Sequence, residues 1–344
     1  MKKLLLPCLI AVSLLTACSG STSAPGGNSP KRSAAAKSIF SVTQGYNSDP
    51  APGNPMVPFP DLSGYEVTDP FGYEAGEPEV SGDRDTFKNV TFFRDGKKIC
   101  GEYYIPEGEG PFPVVVISSG QTAPLALYQD EAKAFSENGI ACLIFDFIGA
   151  VGISRSDGEL TDSSVLTEVQ DLNVILDSLS YLPEADTEKV FLWGHSLGGL
   201  VSTYTGAERP DDICGMILLE PSFVYPDFTR AAEPYLSQVP DVITDPKKYN
   251  TIVGRQFVID MVSVDVLKEA ERFGKDVLLI LGTTDGKVSS SPSLSVTYPE
   301  AFEIAGKTFP SCRTEFVEGA DHLFQGEHGK TVIGKTIEFV KEHS

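Results

Sequence analysis

Eight short apolar runs mark residues 86–344 of this chain, and segments of helical period separate most of them. Val90–Phe93 and Gly101–Ile105 flank Asp95-Gly96, a dipeptide that favours a hairpin turn. Val114–Ile117, Ala141–Phe145, Val190–Trp193, Met216–Leu219, Val277–Leu281 and Thr314–Val317 follow. Helix-period segments lie between and after them: Gln129–Ser136, Ser163–Leu182, Leu197–Ala207, Val264–Phe273 and Thr331–His343. A run without polar alternation has no face to give to water, so it reads as a strand covered on both sides. Strands joined by helices pair in parallel. The pattern predicts an α/β domain with a mostly parallel, eight-stranded sheet, one opening antiparallel hairpin and helices on both faces.

Upstream, the chain changes character. Met1-Lys2-Lys3 and the apolar stretch ending at Leu15-Thr16-Ala17-Cys18 form a charged start and a short hydrophobic segment, the layout of a secretory leader over 1–17. Residues 18–60 are rich in Ser, Gly, Pro, Ala and Asn and show no apolar period, which suits a flexible tether. Residues 61–85 are acidic and rich in Pro and Gly, and read as an irregular strap over the domain that occupies 86–344. The formal charge is −21, and becomes −23 if the leader carries Lys2 and Lys3 away. Such a surface repels nucleic acid and anionic lipid alike. Beyond Cys8 and Cys18, four cysteines adjoin apolar runs (Cys100, Cys142, Cys214 and Cys312). Disulfides and burial as small hydrophobes both suit them, and no Cys-x-x-Cys pair or His cluster suggests a metal.

The run Val190–Trp193 leads into Gly194-His195-Ser196-Leu197-Gly198-Gly199. Gly-x-Ser-x-Gly alone is a weak signal. Between a strand and a helix it describes a tight turn that lifts a serine hydroxyl above a sheet edge, with backbone donors close by. Serine needs a general base, and the chain has four histidines. His195 adjoins the serine, so its side chain diverges and suits loop support. His343 is terminal and His328 lies at or before the last helix. His322 follows the final apolar run in Glu318-Gly319-Ala320-Asp321-His322, where an imidazole can reach the top of the sheet. Asp285, in the loop Gly282-Thr283-Thr284-Asp285-Gly286 after Val277–Leu281, is the first choice to orient it. Glu220, just past Met216–Leu219, is a rival; otherwise it becomes a loop contact or a polar group of the substrate pocket. The oxyanion would be held by the backbone N–H of Leu197 and by that of Gln121, in the loop Ser118-Ser119-Gly120-Gln121-Thr122.

Taken together, Gly-His-Ser-Leu-Gly-Gly, Gly-Thr-Thr-Asp-Gly-Lys-Val and Glu-Gly-Ala-Asp-His resemble the esterase and acylaminoacyl-peptidase branch of the α/β-hydrolases. The stretch from Phe145-Asp146-Phe147 to Asp157-Gly158 is similar to a loop of feruloyl and cinnamoyl esterases, and Gly254-Arg255-Gln256-Phe257 with Asp260 resembles the end of their small cap. The resemblance implies an α/β-hydrolase fold with a cap over about 222–260. Phe223, Tyr225, Phe228, Tyr235 and Tyr249 would then line an acyl pocket or pack the cap onto the body. Relatives often carry His before the oxyanion-loop glycine, where this chain has Ser119. Leu15-Thr16-Ala17-Cys18 resembles the lipobox of bacterial lipoproteins, which implies lipidation of Cys18; an ordinary leader cut nearby is the other reading.

These residues lead us to expect an extracytoplasmic, lipid-anchored serine hydrolase. It would cleave carboxylic esters through Ser196, His322 and Asp285, needing neither metal nor organic cofactor. Its partners would be a small-molecule ester and a membrane reached only through the N-terminal lipid. An exopeptidase or amidase, an acyltransferase, and a non-catalytic binding lipoprotein are the alternatives.

Overall fold

The computed structural model describes residues 61–82, 87–230, 233–244, 252–284 and 298–344. The expected leader and tether, with Cys18, and Tyr249 and Asp285 lie outside them. The described strands are β1 (Ala75–Ser81), β2 (Lys88–Arg94), β3 (Lys97–Tyr104), β4 (Phe112–Ser118), β5 (Ala141–Phe145), β6 (Ala185–His195), β7 (Gly215–Leu219), β8 (Val242–Thr244), β9 (Ile252–Gly254), β10 (Asp276–Gly282) and β11 (Ser311–Val317). Nine of them make one sheet in the order β1-β2-β3-β5-β4-β6-β7-β10-β11. From β5 to β11 every neighbour is parallel, while β1, β2 and β3 pair antiparallel.

The apolar runs are buried on both faces, and their alternate residues separate two cores. Val114, Val116, Leu192, Met216 and Leu279 join one cluster; Val115, Ile117, Phe191, Trp193 and Ile280 join the other. The helices divide accordingly. Those of the body are α1 (Gln129–Glu137), α2 (Val165–Ser178) and α3 (Leu197–Glu208). Between β7 and β10 the chain inserts α4 (Tyr225–Arg230), the β8–β9 hairpin, α5 (Arg255–Ser263) and α6 (Val266–Arg272); α7 (Tyr298–Thr308) and α8 (Glu327–Glu342) follow. Helices α2, α3, α5 and α6 pack on the first face, and α1 and α8 on the second. Helix α2 starts where it does because Ser164 caps it, its hydroxyl accepting the Thr167 N–H at 3.2 Å.

The sheet has nine strands rather than eight, and the extra one corrects the expectation of an irregular strap over 61–85. Residues 75–81 pair antiparallel with β2 as an edge strand. Its side chains are mostly exposed and include Glu77, Pro78 and Glu79, so no apolar alternation announces it. Charge and proline on an edge also discourage pairing with another chain. Residues 66–73 do act as a strap. Gln170 Nε2 donates to the Asp69 carbonyl at 2.6 Å, Asn173 Nδ2 to that of Pro70 at 3.2 Å, and Tyr73 Oη to Asp177 at 2.7 Å. All three partners lie on α2. Cys100, Cys142, Cys214 and Cys312 are free thiols, the first two buried.

Candidate active site

Strand β6 ends at His195 and α3 begins at Leu197, leaving Ser196 alone in the turn at φ 56° and ψ −119°. A side chain in this region costs about 1–3 kcal/mol, so neighbours must hold it there. They do so through three backbone bonds. Ser196 N–H donates to the Leu219 carbonyl at 2.9 Å, and the Ser196 carbonyl accepts from Gly199 at 3.0 Å and from Ser222 at 2.9 Å. The flanking glycines are sterically required. A Cβ on Gly194 would lie 2.5 Å from the Gly198 oxygen, and one on Gly198 only 2.1 Å from the Ser118 oxygen. Ser196 itself is 1 % exposed.

The β4 loop closes over this turn: a Cβ on Gly120 would sit 3.2 Å from Ser196 Cβ. Leu197 follows the serine in the elbow, and Gln121 follows Gly120, whose backbone lies against Ser196. Among the described residues neither of their amides is committed to a protein acceptor. An amide left open beside a buried hydroxyl is what an oxyanion would use. The Gln121 side chain is buried too, and neither of its polar atoms has a protein partner among the described residues.

His322 follows β11 and is buried. Its backbone carbonyl accepts from His195 Nε2 at 2.8 Å, and the two rings lie 4.9 Å apart. A carbonyl only accepts, so His195 carries its proton on Nε2 and its Nδ1 is an acceptor. The donor to Nδ1 is the Tyr128 hydroxyl at 3.0 Å, and that same oxygen accepts the Gly120 N–H at 3.1 Å. Burial pushes the Tyr128 phenol up, keeping it protonated and able to donate. His195 thus ties together the elbow, the Gly120 loop and the His322 loop, the support its adjacency to Ser196 suggested. Tyr128 escaped the sequence reading because nothing in its surroundings marks it.

Glu220 is fully buried at φ 42°, and its Oε1 accepts the Gly282 N–H at 2.5 Å. Its carboxylate therefore lies at the end of β10, the strand from which the Asp285 loop leaves. Asp285 lies outside the described residues. Phe223 and Tyr225 are buried in the first core, with the Phe223 and Phe309 rings 6.4 Å apart, so both join the insertion to the body. Ser222, at the start of the insertion, has its hydroxyl 3.5 Å from Ser196 Oγ, a contact that no local motif announces. A separate cleft of about 420 Å³, lined by Glu102, Leu125, Gln129, Asp146, Ile153 and Arg155 among others, includes neither Ser196 nor His322.

A parallel sheet, a serine in a strained strand-to-helix elbow and a histidine beyond the last strand decide the architecture. The protein is an α/β-hydrolase by fold. Solved hydrolases agree with it: ferulic-acid-bound Est1E from Butyrivibrio proteoclasticus aligns with a TM-score of 0.63 at 22 % identity, covering 72 % of this chain and 96 % of that one. The monoacylglycerol lipase of Paleococcus ferrophilus aligns with a TM-score of 0.56 at 22 % identity, over 72 % and 99 %. In sequence, the family profile described as serine aminopeptidase, S33, matches residues 109–249 of this α/β-hydrolase. Human monoglyceride lipase is 30 % identical over 152 residues, 42 % of this chain and 48 % of the lipase. Esterase EstD of Thermotoga maritima is 28 % identical over 131 residues, 35 % and 30 % of the respective chains. The match spans about half the length of the monoglyceride lipases.

Proposed function

We propose that this α/β-hydrolase is a serine esterase. The observation that carries the reading is the strained Ser196 turn with the uncommitted Leu197 and Gln121 amides beside it. A backbone held in that strain at a buried hydroxyl has a chemical use, and two free donors define which charge it serves. Lipase and esterase relatives support an ester as the substrate. In this reading His322 takes the Ser196 proton as Oγ attacks the ester carbonyl, and Leu197 and Gln121 hold the oxyanion. His322 then protonates the leaving alcohol, Asp285 orients the imidazole, and water resolves the acyl-enzyme. With the Cys18 reading, the enzyme would act outside the cytoplasm at the end of a lipid-anchored tether.

Ser196→Ala should abolish p-nitrophenyl acetate turnover and labelling by a fluorophosphonate probe while leaving the melting temperature unchanged; retained turnover removes the assignment. A panel of acetyl, butyryl, long-chain monoacylglycerol and feruloyl esters, run beside a p-nitroanilide, identifies the acyl group. It also separates esterase from the peptidase that the name of the matched profile suggests.

A further inference from the structure

Ser222 sits beside the nucleophile by construction. Its amide donates to the carbonyl of Ser196 at 2.9 Å, and the Ser196 amide donates to Leu219, three residues before it. Pro221 packs on the elbow so closely that a Cβ on Gly199 would come within 2.7 Å of Pro221 Cβ. The backbone from 219 to 222 is therefore fastened to the turn at three points. Glu220, at φ 42°, bends the strand end so that this can happen. The result is a second buried hydroxyl, 3 % exposed, facing Ser196 Oγ at 3.5 Å. Among the described residues this is the hydrogen-bond contact that Ser196 Oγ makes. Hydroxyl pairs bond best near 2.8 Å, and hydrogen bonds in empty active sites are often long and tighten as the reaction begins.

We propose that Ser222 is a catalytic residue of deacylation, donating a hydrogen bond to Ser196 Oγ as that oxygen leaves the acyl group. This rests on Ser196 being the nucleophile. In deacylation, water attacks the acyl carbonyl and gives its proton to the general base. The C–Oγ bond then breaks, its electron pair stays on Oγ, and the protonated base returns a proton there. Ser222 keeps its own proton throughout; its O–H stabilises charge on Oγ while that charge exists. Acylation gains less from the same donor, because the free Ser196 hydroxyl already makes this bond before it attacks, whereas the ester oxygen of the acyl-enzyme is a poor acceptor and gains the bond only as it leaves. The hydroxyl therefore favours turnover over acyl-enzyme accumulation.

Stopped-flow turnover of p-nitrophenyl acetate by the full chain tests this, with Ser222→Ala, the similar-sized weaker donor Ser222→Cys, and Ser196→Ala. In Ser222→Ala the p-nitrophenol burst should persist. The steady rate kcat should fall about 3- to 10-fold, the worth of one hydrogen bond. KM should fall with it, leaving kcat/KM within about twofold, since a slower second step lowers both together. Ser222→Cys should fall between wild type and Ala. A packing role would instead lower kcat/KM and the melting temperature, and either that pattern or wild-type kinetics overturns the proposal. If Ser222→Ala does not fold, the burst-to-steady ratio of Ser222→Cys decides, and a ratio equal to wild type overturns it. Turnover surviving in Ser196→Ala marks failure of the esterase reading itself; loss there, with wild-type kinetics in the Ser222 variants, marks failure of this proposal alone.

Discussion

Ser196 occupies backbone angles that most side chains avoid, and the atoms that keep it there are mainly backbone. This makes the elbow unforgiving at single residues. A methyl on Gly198 would lie 2.1 Å from the Ser118 oxygen and 2.5 Å from the Ser119 oxygen, and no side-chain rotation relieves contacts with backbone. The β4 loop would have to separate from α3, shifting Gln121 relative to Leu197. Gly198→Ala should therefore lower ester turnover by roughly 100-fold or more, the usual cost of an ångström-scale misplacement at a reacting centre. Gly334→Ala, in α8 with open space around it, is the matched control and should keep wild-type rates in the same assay. His195 shows how much a neighbour contributes without touching the chemistry: its two ring nitrogens join three loops that approach the serine.

Helix α2 combines a conventional cap with an unusual interior. Glu168 and Asp171 are both buried on it, where carboxylates are seldom found. Asp171 meets the Arg94 guanidinium of β2 at 3.1 Å and accepts the Ile148 N–H at 2.8 Å, so it fixes the loop after β5. Burial nevertheless pushes Asp171 up to about 6. Among the described residues the Glu168 carboxyl has only the Ser163 hydroxyl, at 2.9 Å, and burial pushes it up to about 8. Its ordinary value is 4.5, so between pH 4.5 and 8 the folded chain holds a proton that the unfolded chain has released. Stability then falls as pH rises through that window, by about 1.4 kcal/mol per pH unit at most. Thermal melts should show the midpoint dropping between pH 6 and 8.5. Glu168→Gln should flatten that slope, because Gln fills the same space with nothing to ionise.

At the scale of the molecule, one carboxylate joins the strap, the insertion and the body. Asp260 of α5 is fully buried. It accepts from the Thr68 amide at 2.9 Å, the Gln256 side chain at 2.7 Å and the Ser164 hydroxyl at 2.5 Å. Gln256 in turn donates to the Glu66 carbonyl at 2.9 Å. Asp260→Ala would remove one acceptor shared by the buried Ser164 hydroxyl and the half-buried Thr68 and Gln256 donors, a cost of about 2–4 kcal/mol. For a domain of this size that is a drop in melting temperature on the order of 5–10 °C. Limited proteolysis should then cut first within residues 61–74, and protection equal to wild type would show that the strap is held elsewhere.

Much of this was legible in the sequence because parallel strands buried on both faces leave unbroken apolar runs, and because Gly-x-Ser-x-Gly between strand and helix has few structural uses. The order of strands and helices, Ser196 in a turn after β6 and His322 beyond β11 all follow from such local patterns. Strand β1 did not, since an edge strand of Glu and Pro is defined by its hydrogen bonds to β2 and not by its side chains. Tertiary structure alone brought Tyr128 to His195, Glu220 to Gly282, Asp260 to Ser164 and Ser222 to Ser196. These contacts join residues from 26 to 96 positions apart, and polar side chains carry no period that reveals such partners. Local patterns along the chain dictate an α/β sheet with a serine at one strand's end. Only the folded chain decided which buried polar groups surround that serine, because their positions depend on how separate elements pack together.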